Sequence, residues 1–109
     1  MVHGFKISTS LSMPTIGDIS EIEKTVYIDR RMPKKFKEGI AVHEIEERKW
    51  LKRGHTYKFS HNKAQQKELQ FYKKKFNSLP RARDFLKDEE NHVTKVFIKQ
   101  LRRDLKKLK

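Results

Sequence analysis

His43 and Glu47 stand one helical turn apart within residues 36–51, Phe-Lys-Glu-Gly-Ile-Ala-Val-His-Glu-Ile-Glu-Glu-Arg-Lys-Trp-Leu. Wound at about 100° per residue, this stretch puts Phe36, Ile40, Trp50 and Leu51 on one face, with His43 and Glu47 in the middle of it. Lys49, Lys52 and Arg53 fall on the other side. A polar group buried without a partner costs roughly 1–3 kcal/mol, so this pair needs partners, and a metal ion satisfies both at once. The pattern repeats downstream. Between Ser60 and Phe76 the apolar face carries Leu69, Phe71, Tyr72 and Phe76, with Ala64 beside them, and His61 and Glu68 are embedded in it. Two helical faces, each with a His and a Glu inside the apolar stripe, fit a shared divalent metal site. They also fit a metal-free network in which imidazoles pair with carboxylates.

Residues 43–47 read His-Glu-x-x-Glu. The pattern resembles the zincin metallopeptidase motif, His-Glu-x-x-His, with glutamate in place of the second histidine. The resemblance implies zinc or another divalent metal, with His43 and Glu47 as ligands and Glu44 as the base that polarises water. His61 is the candidate third ligand. Glu68 is either a fourth ligand or an outer carboxylate that holds the His61 ring. The departure at Glu47 bears on peptidase activity more than on metal binding. Function is therefore expected to be that of a zincin-like metal-binding protein, with a metal-dependent hydrolase as its catalytic form.

Charge supports an alternative of another class. Lys and Arg number 27 against 14 Asp and Glu, a formal net charge of +13 and a pI near 10.1. Such an imbalance favours association with nucleic acid through phosphate contacts. Lys73, Lys74, Arg81, Arg83, Arg102, Arg103, Lys106 and Lys107 are the expected contacts of a small basic non-catalytic nucleic-acid-binding protein. A lysine-rich surface that serves solubility alone has the same composition. No phosphate loop, nucleophile elbow or zinc-finger spacing accompanies the charge.

The elements that would position these residues follow from periodicity. Length and helix-forming composition predict one α+β, mainly helical domain over 1–109: short N-terminal strands, then three or four packed helices. Residues 1–32 read as strand and loop. Within them 4–9 and 25–30 are the strand candidates, and 13–18 is expected to be loop. Residues 33–76 form a helix–loop–helix with the metal site: a first helix from Pro33 or Phe36 to Arg53, stopped by Gly54, and a second capped by Ser60. Residues 80–109 form a basic C-terminal helix opened by Pro80, with a break allowed near Asn91. Its apolar positions Phe85, Leu86, Val93, Phe97, Leu101, Leu105 and Leu108 are assigned to the core, with Glu90 in their stripe. A membrane-surface reading of this helix is a third option, weaker on that ground, and no membrane partner is expected. The absence of cysteine leaves metal ligation to His, Asp and Glu. The lack of a long apolar run or secretory leader predicts a cytoplasmic protein.

Overall fold

The computed structural model describes residues 2–9 and 16–108. It is α+β and mainly helical, as the composition predicts. A three-stranded sheet is built from β1 (Lys6–Ser8), β2 (Gly17–Ser20) and β3 (Thr25–Ile28) in the order β1-β3-β2. β1 runs parallel to the central β3 with Ile7 beside Val26; β2 runs antiparallel to it with Ile19 beside Val26. The expected loop at 13–18 is corrected at its end, since Gly17 and Asp18 begin β2; residues 13–15 lie outside the described part. β3 is short but decisive. Its alternating Val26 and Ile28 are fully buried, the in-out pattern of a strand with one covered face.

Asp29 closes the strand. Its carboxylate, fully buried, accepts from the backbone N–H of Arg31 and takes the guanidinium of the same residue in two contacts of 2.9 and 2.6 Å. Arg31 also donates to Gln100 at 3.2 Å, which ties the sheet end to the last helix.

A short 3-10 turn at Lys34–Phe36 leads into α1 (Lys37–Lys52), followed by α2 (Tyr57–Phe76) and α3 (Leu79–Lys107). α1 packs along α2 and also touches β2 and β3, so it lies at the centre of the molecule. That position explains why Gly39, Ile40, Ala41 and Val42, four consecutive residues, are all buried. Phe36, Ile40 and Ala41 join Val26, Ile28, Met32 and Val96 in the core. The buried ridge of α2 is Ser60, Ala64, Glu68 and Tyr72, one residue per turn.

Three further sequence expectations need correction. The second helix is capped by Thr56, whose hydroxyl accepts from the Phe59 N–H; Ser60 lies inside the helix, buried, and donates to the Thr56 carbonyl. A cap four residues earlier adds a turn, because Tyr57 and Phe59 gain aromatic partners there. Helix α3 runs unbroken through Asn91, opened by Ser78 as N-cap and Pro80 in its first turn. The third correction concerns burial. Phe97, Leu101, Leu105 and Leu108 are 46, 60, 52 and 84% exposed, not core. At 1.5 Å per residue α3 extends about 43 Å and α1 about 24 Å, so the last helix outruns the body that could cover it. No helix among the described residues is long and apolar enough to cross a membrane.

Candidate metal centre

The site lies where α1, α2 and α3 face one another. α1 supplies His43, Glu44 and Glu47, α2 supplies His61 and Glu68, and α3 supplies Glu89. Glu47 Oε2 lies 3.1 Å from His43 Nε2 and 3.1 Å from His61 Nδ1. His43, Glu47 and His61 each offer a ligand atom, and these atoms lie within 4.8 Å of one another. The two imidazoles meet edge to face with centroids 4.9 Å apart. Two imidazoles and one carboxylate form a donor set suited to zinc, and three protein ligands leave a coordination position for water or substrate. The group can hold a metal ion.

Glu68 holds a ring, but that of His43 and not, as expected, that of His61. Its Oε1 lies 3.1 Å from His43 Nδ1, on the side of the ring opposite Glu47. It therefore orients His43 so that Nε2 faces the other ligand atoms, the outer-carboxylate arrangement common in metal centres. The His61 ring instead meets the Gln65 amide at 3.3 Å and stacks on Tyr57 at 5.5 Å. Periodicity did not single out Tyr57 because it precedes Ser60, the expected cap, nor Gln65 because a neutral amide carries no metal-ligand signal.

Burial and charge set the protonation states. Burial alone would lower the His43 pKa, but hydrogen bonds to Glu47 and Glu68 outweigh it and raise the value to about 9. Without metal the ring is thus an imidazolium that donates to both carboxylates. For Glu47, partial burial acts upward, yet the bonds from His43 and His61 hold it below the ordinary carboxylate range. Glu44 is pushed up to about 7, chiefly by burial, with Glu47, Asp18 and Glu68 adding to the rise and His43 opposing it. Its carboxylate lies against Gly17 of β2, where a Cβ would come within 2.9 Å of Oε1. Glycine there gives the acid its room. Arg48 pairs with Glu21 at 3.8 Å.

Behind the site lies a buried acid that sequence reading missed. Glu89 is 5% exposed and accepts from the Tyr72 hydroxyl at 2.6 Å, whereas Glu90, placed in the apolar stripe by periodicity, is exposed. Ala82, Phe85, Glu89, Val93 and Val96 recur at helical spacing, and that register was the available signal. Burial and then the neighbouring Glu68 raise the Glu89 pKa far above the carboxyl range. Glu68 Oε2 is a buried oxygen with no hydrogen-bond partner among the described residues, and a neutral Glu89 is a group that can donate to it. Hydrogen bonds run Tyr72–Glu89 and Glu68–His43–Glu47–His61, and a proton on Glu89 shared with Glu68 would join the two runs. The Tyr72 ring reaches this position because Gly39 of α1 has no side chain; a Cβ there would land on the phenol.

A cavity of about 540 Å³ opens beside these groups. His43, Glu44, Glu47, His61 and Glu68 all line it, with Val93 and Phe97 as an apolar wall. The basic residues expected to meet nucleic acid are not gathered. Lys73 and Lys74 end α2, Arg81 and Arg83 start α3, and Arg102, Arg103, Lys106 and Lys107 lie near its far end, about 30 Å away along the axis at helical rise. Of the other histidines, His92 meets the Asp88 carbonyl and Phe36, and His55 stacks on Phe59. Neither belongs to the site. No protein-family model, curated protein or solved structure matches the chain.

Proposed function

We propose that the chain is a metal-dependent hydrolase, with zinc held by His43, Glu47 and His61 and with Glu44 as the general base. The observation that carries this reading is the three-ligand cluster facing a cavity that Glu44 also lines. When bound, a divalent ion supplies Lewis acidity and makes water a nucleophile near neutral pH. Glu44 takes the proton as water attacks, a role that its place on the cavity wall beside the three ligands allows. Glu68 keeps the His43 Nδ1–H engaged, so Nε2 presents its lone pair to the ion. The resemblance of His-Glu-x-x-Glu to the zincin motif favours the same roles.

The test starts with elemental analysis of protein purified without metal-affinity resin, where about one equivalent of zinc or another divalent ion is expected. Chelation should then lower the melting temperature, because a ligand of the folded state is removed. Glu44→Gln should keep the metal and lose hydrolysis of a peptide or ester library, and His43→Ala should lose both. Metal-free protein whose melting curve ignores added zinc and chelator overturns the metal centre. Glu44→Gln with parental activity overturns the base.

A further inference from the structure

The C-terminal half of α3 has two faces that the body of the protein does not share. One faces inward through Glu89, Val93, Val96 and Gln100, of which Glu89 and Val96 are buried and Gln100 bonds Arg31. The other holds Phe97, Ile98, Leu101, Leu105 and Leu108, which are 46, 45, 60, 52 and 84% exposed. Projected at about 100° per residue, these five side chains fall within an arc of about 100°, a continuous stripe. Lys95, Lys99, Arg102 and Lys106 project together along one flank of it. From 97 to 108 the helix has five basic residues, Lys99, Arg102, Arg103, Lys106 and Lys107, against the single acid Asp104.

We infer that this face docks the protein on an anionic lipid surface, with the helix lying in the plane of the headgroups. Three occupants compete, and charge separates them. A second copy would match the apolar stripe but would bring two strongly positive helices together. Nucleic acid would match the basic flank but leave the Leu101–Leu105 stripe in water. An anionic bilayer meets both, since leucine and phenylalanine enter the acyl boundary while lysine and arginine contact headgroup phosphates. The helix is too polar to span a bilayer, which fits an interfacial position. The geometry also sets an orientation. Phe97 opens the stripe and lines the cavity of the candidate metal centre, so docking would bring the cavity mouth to the lipid surface. The docking itself does not depend on the metal reading.

The test is co-sedimentation of the full chain with vesicles of phosphatidylcholine alone and of phosphatidylcholine with phosphatidylglycerol. Partitioning onto the anionic vesicles should be at least tenfold stronger. Leu101→Glu with Leu105→Glu should reduce it at least tenfold while the melting temperature holds, because both side chains are exposed. Arg102→Gln with Lys106→Gln should weaken binding to the anionic vesicles only. No binding to phosphatidylglycerol vesicles at low salt overturns the inference. So does full binding by the double leucine variant, which would reduce the attraction to charge alone. A concentration-dependent dimer, abolished by the same variant in the absence of lipid, assigns the face to a second copy and equally overturns it.

Discussion

Raising the pH of metal-free protein should destabilise it from the centre of the molecule. His43 has an ordinary pKa of 6.5 and a folded value of about 9. A group whose folded pKa is raised binds its proton more tightly in the native state. Its stabilising contribution is therefore complete below pH 6.5 and is lost as pH rises through about 9. At about 1.4 kcal/mol per pKa unit the loss is about 3 kcal/mol, and its His43 side chain, 12% exposed, is little screened by solvent. Glu44 works in the same sense over a lower window, its contribution complete below pH 4.5 and lost as pH rises through about 7. For a chain of this size the His43 loss alone corresponds to a fall in melting temperature on the order of 10 °C. The assay is circular-dichroism melting in strong chelator at half-unit intervals from pH 6.5 to 9. Saturating zinc should reverse the slope, because ligation needs the deprotonated Nε2 and competes with the proton. His43→Gln should flatten the metal-free profile over this window. A flat parental profile, or an unchanged slope in His43→Gln, would refute the imidazolium between Glu47 and Glu68.

Other outcomes follow from the packing. Gly39→Ala should cost about 3 kcal/mol in urea unfolding, because the added methyl meets a fully buried Tyr72 ring with no space to retreat. Glu89→Gln should stay within about 1 kcal/mol of the parent, its amide donating to Glu68 as the neutral acid does, whereas Glu89→Leu should lose about 1–3 kcal/mol by leaving Glu68 and Tyr72 without that partner; equal losses in both variants would count against a protonated Glu89. Thr56→Ala should cost about 1 kcal/mol in the same assay by removing the acceptor for the Phe59 N–H.

Much of this arrangement is legible in residues 36–76. Polar side chains inside apolar stripes marked His43, Glu47, His61 and Glu68, and the structure draws all four into one cluster. Helix periodicity found them because ligand and core positions share the same face. It could not say which ring Glu68 would meet, since that depends on the rotation of α2 against α1. Glu89 was hidden for a related reason. Adjacent glutamates differ by only about 100° on the wheel, and contact with Tyr72 decides between them. The core assignment of Leu101 and Leu105 failed because amphipathicity reports that a helix has an apolar face, not that the fold supplies something to cover it. The strand at Gly17–Ser20 was obscured by its glycine and aspartate, poor strand formers held by pairing with β3.

The tight link from Arg53 to Thr56 has a further consequence. Gly54 takes a positive φ of 89°, turning the chain back at once, so the three candidate ligands come from one helical hairpin. Contacts that close over so short a loop cost little chain entropy and form early in folding. The centre can therefore assemble before α3 has docked. Bound metal would act as a staple on the hairpin, making it the most slowly opening part of the native state. Native-state hydrogen exchange should then show zinc slowing the amides of α1 and α2 well beyond those at the far end of α3, which would keep exchanging freely while the hairpin stays closed.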